Sequence, residues 1–207
     1  MRPLLRSACL TAALALGMAL SGPASAAKLF RQVVSVPGGL APSAQWGVDG
    51  SDWDQQVWDN FRLTTDAKIT SVHWWGGLGN WGTATTVDSF HLEFWTSIDY
   101  PDGRPVQPDV GNYQGGMVQA YRFAISKVTQ TVEGDRIHYQ VKLPQPLLLK
   151  GATNYWLSVL AWQSGVPTWG WAWSDGGDHL DFYCTAWTGD KFYLHGSQDM
   201  AFQLVGR

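Results

Sequence analysis

Two short segments, ITSVHWW and SFHLEFW, carry the side chains best suited to binding chemistry. Successive side chains of an extended strand point to opposite faces, so His73 and Trp75 share a face of the first segment. By the same alternation, His91, Glu93 and Trp95 share a face of the second. Flat indoles stack on sugar rings, and imidazole and carboxylate groups bond to hydroxyls. Two imidazoles and one carboxylate are also a common ligand set for metal ions.

A Gly-rich stretch, GGLGNWGTATTVD, joins these segments and predicts a hairpin in which they pair. Its buried face would place Trp74 opposite Phe90, Val72 opposite Leu92 and Thr70 opposite Phe94. Its other face would carry Ser71, His73 and Trp75 beside Ser89, His91, Glu93 and Trp95. A two-residue slip in register leaves every side chain on its face. We therefore expect one outward aromatic platform for a ligand, built from both strands.

Other tryptophans extend the list of candidate ligand contacts. In WGWAW the alternation projects Trp169, Trp171 and Trp173 from one face. Such a row either binds pyranose rings or fills the core of a sandwich, and burial is the favoured interpretation. Trp169 and Trp171 stay among the candidate ligand-binding residues. Trp81 joins them, because it lies in the Gly-rich loop, where exposure is expected.

Clustered aspartates suggest one cofactor, calcium. The segment DGSDWD places Asp49, Asp52 and Asp54 close together, and SDGGDHLD forms a second acidic cluster. Asp-rich loops supply the oxygen ligands that Ca²⁺ prefers. Asx turns explain the same residues without a metal, and we favour that interpretation.

The sequence contains few candidate catalytic residues. The chain contains two glutamates, Glu93 and Glu133, and the second lies beside a predicted turn, so the carboxylate pair of a glycosidase is not indicated. Cys184 stands in no nucleophile motif. A site made of His73, His91 and Glu93 would be the metal centre of a small hydrolase. We predict a noncatalytic protein.

The first 26 residues resemble a secretory signal peptide, with Arg2 and Arg6 before the apolar stretch CLTAALALGMAL and the A-x-A site Ala24-Ser25-Ala26. We expect a mature chain that begins at Ala27, is secreted to the periplasm or beyond, and has no membrane span. The net charge of −3 gives no basic footprint, so nucleic acid is not expected as a partner.

The elements that must position these residues are short and alternating, without a helical period. The strands are predicted at 57–63, 69–75, 90–95, 119–125, 128–132, 137–143, 155–162, 169–173, 181–186 and 200–205. About ten strands predict an all-β fold, an antiparallel and jelly-roll-like β-sandwich in one domain, 27–207, with 28–45 as an extended lead-in.

One hairpin can be registered in detail. A two-residue turn at Gly134-Asp135 places Val132 opposite Ile137 and Gln130 opposite Tyr139, in a column expected to face the core. Just before it, the alternation slips by one residue between Ile125 and Val128, which predicts a bulge.

The motifs WDNF, TTDAKITSVHWWGG, SFHLEFW, NYWLSVLAW and WGWAW together resemble a recurring, uncharacterised secreted bacterial β-sandwich family. The resemblance covers about residues 57–173, with Asn60 where the family pattern has an aspartate. It implies a sandwich fold and export, and it implies no activity.

The sequence thus leads to three hypotheses. The first is an exported noncatalytic module that binds carbohydrate through a tryptophan-bearing sheet face. The second is a structural or adhesion protein of the cell envelope whose tryptophans fill the core. The third is a small metal-dependent hydrolase.

Overall fold

The computed structural model of the protein describes residues 26–46, 54–111, 115–187 and 190–207. Over these ranges the chain has sixteen strands and a single 3-10 turn, Ile125–Lys127, and no α-helix. The strands are β1 Ala27–Gln32, β2 Leu40–Pro42, β3 Ala44–Trp46, β4 Gln55–Arg62, β5 Ala67–Leu78, β6 Ser89–Asp99, β7 Pro105–Pro108, β8 Met117–Ala124, β9 Thr129–Glu133, β10 Arg136–Leu149, β11 Asn154–Gln163, β12 Trp169–Ser174, β13 Asp181–Trp187, β14 Asp190–His195, β15 Asp199–Met200 and β16 Phe202–Gly206. The predicted leader, residues 1–26, lies outside these ranges except for its last residue.

These strands form two eight-stranded sheets, which confirms the predicted β-sandwich. The first sheet runs β1-β16-β5-β10-β9, with β12 paired to β5, and with β15 and β2 paired to β12. The second runs β14-β13-β4-β3-β11-β6-β7, with β8 on β6. Pairing is antiparallel except between β3 and β11. The strand count is sixteen rather than ten. The expected lead-in itself forms β1, β2 and β3, β7 and β14 carry no clear alternation, and the predicted strand 200–205 is divided into β15 and β16.

The core lies between the sheets and follows the predicted alternation. Val72 and Trp74 from β5 and Phe90, Leu92 and Phe94 from β6 have no exposed surface. The Trp74 and Phe90 rings meet edge to face, with centroids 5.0 Å apart. An inward alternation of this kind buries one face of each strand and leaves the other for solvent or a second layer.

The favoured interpretation of WGWAW is confirmed, because Trp169 and Trp171 are fully buried and Trp173 packs against the same core. Gly76 on β5 makes room for this row. A Cβ atom there would lie 2.5 Å from a ring carbon of Trp169, so the indole reaches its place only because residue 76 has no side chain.

The predicted hairpin between β5 and β6 is wrong. β5 pairs with β10, β16 and β12 in the first sheet, whereas β6 pairs with β11, β7 and β8 in the second. Residues 79–88 cross from one sheet to the other, so Trp74 and Phe90 meet across the core and not along a ladder. Thr70 also loses its predicted core position, because a register shift in β5 places Ile69 there, with no exposed surface.

The hairpin between β9 and β10 has the predicted register, with Val132 opposite Ile137 and Gln130 opposite Tyr139. Gly134 has a φ of +63°, as the first position of a type II′ turn requires. The expected core-facing column is wrong on the β9 side, since β9 is an edge strand whose Val132 is 76% exposed. The bulge expected between Ile125 and Val128 is instead the 3-10 turn.

Candidate functional site

The predicted platform residues lie on opposite sides of the sandwich. The first outer face, the outward side of the first sheet, carries His73 and Trp75 on β5. The second outer face, the outward side of the second sheet, carries His91, Glu93 and Trp95 on β6. The single platform is therefore not formed. The metal centre of His73, His91 and Glu93, considered as the third alternative, is not formed for the same reason.

Trp75 and Trp95 point outward as predicted, but they are only 6% and 2% exposed. Their expected exposure is wrong, because side chains from neighbouring strands of the same sheet enclose each indole. Trp75 packs with Ala172 and Ala201, and Trp95 packs with Trp156, its cross-strand neighbour. Strand alternation specifies a face, but it carries no information about what packs on that face.

The Glu93 pocket is a small cavity of about 50 Å³ on the second outer face. Pairing of β11 with both β6 and β4 places Ser158 opposite Glu93 and opposite Trp58, which brings three strands to one point. The walls combine aromatic, polar and apolar side chains, namely Gln56, Trp58, Glu93, Trp95, Val110, Met117, Cys184 and Tyr193. Polar groups set among aromatic walls are typical of small-molecule sites.

Hydrogen bonds fix the carboxylate in this pocket. Glu93 Oε2 accepts from Gln56 Nε2 at 2.8 Å and from Trp95 Nε1 at 3.1 Å. Gln56 Nε2 also donates to Ser158 Oγ at 3.0 Å. Trp58 Nε1 is buried and has no hydrogen-bond partner among the described residues. A buried donor without an acceptor is costly, so Trp58 Nε1 is an unsatisfied donor in a residue of the pocket wall.

Tyr193 forms the open side of the Glu93 pocket. It is 42% exposed on the edge strand β14, and its ring stacks on Phe182 with centroids 5.9 Å apart. Pairing with β13 places Tyr193 opposite Cys184, another residue of the pocket wall. Phe192, the preceding residue, is 46% exposed and alternates to the other face of the strand. The sequence analysis missed Tyr193, Gln56 and Trp58, although Gln56 and Trp58 share one parity in β4.

His91 lies further along the same face in a second aromatic group. Its ring stacks on Trp162 with centroids 5.3 Å apart, and the Arg122 guanidinium lies 5.4 Å from the Trp162 ring centroid. Burial lowers the pKa of His91 to about 4, with a smaller contribution from Arg122. Within the described ranges, His91 Nε2, Trp162 Nε1 and the hydroxyl of Ser89 are buried without partners. The second outer face thus contains several buried donor and acceptor atoms that have no hydrogen-bond partner among the residues described.

The remaining candidate tryptophans do not join the Glu93 pocket. Trp171 is fully buried and donates from Nε1 to the Ala201 carbonyl at 2.9 Å. Trp81 is partly exposed and lines a separate cavity of about 180 Å³ beside Trp169 and Gln55. We therefore exclude Trp169 and Trp171 from the binding surface, since neither has surface on which a ligand could stack.

The described residues of the two acidic clusters are not grouped as a metal centre. Asp49 and Asp52 lie outside the described residues, so the calcium site predicted with Asp54 stays a prediction. In the second cluster, Asp178 accepts two hydrogen bonds from Asn60 Nδ2, at 3.0 and 3.2 Å. Across the part of the chain that the structure describes, no three His, Cys, Asp or Glu side chains are grouped to hold an ion. The same part contains no helix that could cross a membrane.

Comparison with known proteins gives one result. The family model described as "Domain of unknown function (DUF7901)" matches residues 34–205, which includes the strands that build both outer faces. No curated protein and no solved structure matches the chain.

Proposed function

Since the chain belongs to the DUF7901 family, whose description assigns no function, we propose from its own residues that it is an exported, noncatalytic module that binds an extracellular glycan at the Glu93 pocket. Export rests on the leader sequence that ends at Ala24-Ser25-Ala26. Glycan binding rests mainly on the buried, unpartnered Trp58 Nε1 beside a hydrogen-bonded carboxylate.

The size of the pocket indicates which part of a sugar it takes. Its volume of about 50 Å³ compares with about 150 Å³ for a protein cavity that holds one benzene molecule. A whole pyranose does not fit, but a hydroxyl or hydroxymethyl group does. In our proposal this group enters the pocket, accepts from Trp58 Nε1 and donates to Glu93. The apolar face of the sugar ring then lies on the exposed Tyr193 ring, as aromatic stacking requires.

A second candidate function is structural or adhesive. Most of the described indoles are buried in three apolar clusters, which favours a role in packing; the buried ones are Trp58, Trp74, Trp75, Trp95, Trp156, Trp169 and Trp171. On this alternative the Glu93 network only stabilises the second outer face, and no soluble glycan binds there.

Affinity electrophoresis against a panel of neutral and acidic polysaccharides tests the proposal. We expect at least one glycan to retard the protein and Tyr193→Ala to weaken that binding about tenfold, as expected for loss of a stacked ring. Phe192→Ala is the matched control, because Phe192 is equally exposed on the same strand but points to the other face. It should leave binding unchanged.

Glu93→Gln tests the polar part of the pocket. It replaces one carboxylate oxygen by an NH₂ donor beside the donors of Gln56 and Trp95. Binding of the glycan should therefore be at least tenfold weaker than in wild type. Thermal melting of each variant shows whether the fold is retained. A protein that no glycan retards, or a Tyr193→Ala variant that binds like wild type, contradicts the proposal and favours the structural alternative.

A further inference from the structure

The first outer face holds a chain of hydrogen-bonded ionisable groups that is separate from the Glu93 pocket. Glu133 Oε1 lies 3.1 Å from His138 Nδ1, and Glu133 Oε2 accepts a hydrogen bond of 2.8 Å from Trp75 Nε1. His138 Nε2 lies 3.0 Å from Nδ1 of His73. The pairing of β10 with β5 sets this arrangement, because His138 lies opposite Trp75 and Gln140 lies opposite His73.

Neighbouring rings hold the His138 imidazole in place. It stacks on Trp75 with centroids 4.5 Å apart and planes 8° apart, and on His73 with centroids 5.2 Å apart. The His138 side chain is 20% exposed, so it lies near the surface. The stacked rings of Trp75 and His73 restrict its rotation. A histidine that is hydrogen-bonded to a carboxylate through one nitrogen presents the other in a fixed direction.

The same contacts fix which nitrogens face each other. Glu133 lies beside His138 Nδ1, so Nε2 is the His138 nitrogen that faces His73 Nδ1. A neutral imidazole with its proton on one nitrogen presents a lone pair on the other. With the His138 proton on Nδ1 and the His73 proton on Nε2, both facing nitrogens present lone pairs and can bind one ion.

We propose that His73 and His138 form a two-imidazole site for a divalent copper ion, with Glu133 as the positioning residue. Imidazole nitrogens bind such ions at about 2.0–2.1 Å, so two nitrogens at the observed separation of 3.0 Å subtend about 90° at the metal. This is the angle between neighbouring ligands in a square-planar or tetragonal complex, the geometry that Cu²⁺ prefers. Cu²⁺ also binds such ligands more tightly than the other divalent ions of its row.

The charges around the pair favour a modest affinity. The Glu133 carboxylate, held against His138 Nδ1, places a negative charge beside the pair that favours a cation there. Arg31 opposes this effect, since its guanidinium lies 6.0 Å from the ring centroid of Trp75 on the same face. No third protein ligand is grouped with the imidazoles within the described ranges, so water fills the other positions on the metal.

Copper titration of the purified full-length protein, followed by calorimetry and electron paramagnetic resonance, tests the site. We expect one Cu²⁺ to bind with two imidazole nitrogens in its spectrum. His73→Gln and His138→Gln should each weaken binding at least tenfold and leave one nitrogen. His91→Gln is the matched control, because His91 is also half-buried with a pKa of about 4 but stacks on Trp162 in the other sheet. It should change neither affinity nor spectrum.

Glu133→Gln separates positioning from ligation. It keeps both imidazoles, so the two-nitrogen spectrum should persist while affinity falls several-fold. The wild-type spectrum decides the question even where a variant fails to fold. Bound copper with fewer than two nitrogen ligands overturns the proposal, and so does binding that survives in the double variant His73→Gln/His138→Gln or disappears in His91→Gln.

Discussion

Asp59 is a carboxyl group without exposed surface, on the inner side of β4. Its Oδ2 accepts from the backbone N–H of Met200, while its Oδ1 is buried with no partner among the described residues. Burial raises the pKa of Asp59 well above its ordinary value, and the neighbouring carboxylates of Asp199, Asp178 and Asp181 raise it further. The folded protein therefore holds a proton on Asp59 at pH values where the unfolded chain has lost it.

Asp59→Asn should stabilise the protein at neutral pH by about 1–3 kcal/mol, the usual cost of a buried polar group left unsatisfied. A raised pKa in the folded state makes wild-type stability fall as pH increases from about 4, where unfolded aspartate ionises, and the variant does not share this loss. Urea unfolding between pH 4 and 8 measures the difference, which should grow with pH. Asp66→Asn, at the surface beside Lys150, is the control and should show no such gain. A constant or negative difference for Asp59→Asn would contradict this account.

At the scale of single elements, the turn between β9 and β10 depends on one backbone angle. Gly134 has a φ of +63°, and a Cβ atom added there would meet nothing within 4 Å. Any cost of Gly134→Ala is therefore conformational and should be about 1–2 kcal/mol. Gly176→Ala is the matched control, because Gly176 has equal space and an ordinary φ, so it should be neutral or slightly stabilising. Equal unfolding free energies for the two variants, measured in urea, would be inconsistent with the turn geometry.

Individual strands were more predictable than their partners. Alternation within β5 and β6 places Val72, Trp74, Phe90 and Leu92 in the core, as observed. It says nothing about which sheet a strand enters, so the crossing at residues 79–88 was predicted as a hairpin. A two-residue turn leaves no such freedom, and the β9–β10 register was therefore predictable.

The candidate site was predictable only in part, for a related reason. Parity identified Glu93 and Trp95 as outward residues, but the Glu93 pocket also needs Gln56 and Tyr193 from strands distant in the sequence. The side chains packed around Trp95 also come from such strands, among them Trp58 on β4 and Trp156 on β11. Local pattern therefore identified pocket residues without identifying the pocket.

At the scale of the whole molecule, one histidine on each outer face couples folding to pH. Burial lowers the pKa of both His73 and His91 to about 4 from an ordinary value of 6.5. A lowered histidine pKa means that the unfolded chain takes up the proton first. The resulting stability is complete above pH 6.5 and is lost as pH falls towards 4.

The double variant His73→Gln/His91→Gln should therefore lose less stability than wild type on acidification from pH 7 to pH 4. After allowance for the solvent-exposed half of each ring, the difference should be on the order of 1 kcal/mol per histidine, or about 2–4 °C in Tm for each. Melting curves at matched ionic strength measure it. A larger acid loss in the variant than in wild type would reverse the assigned sign.

Assembly of the first sheet depends on β16. β16 lies between β1 and β5, so residues 202–206 fill an interior place in the first sheet. Without β16, β5 lacks one neighbour and β1 has no pairing partner among the described strands. Contacts of such long sequence separation form late and slowly. Removal of residues 202–207 would therefore detach β1 from the first sheet and leave β5 with an unpaired edge.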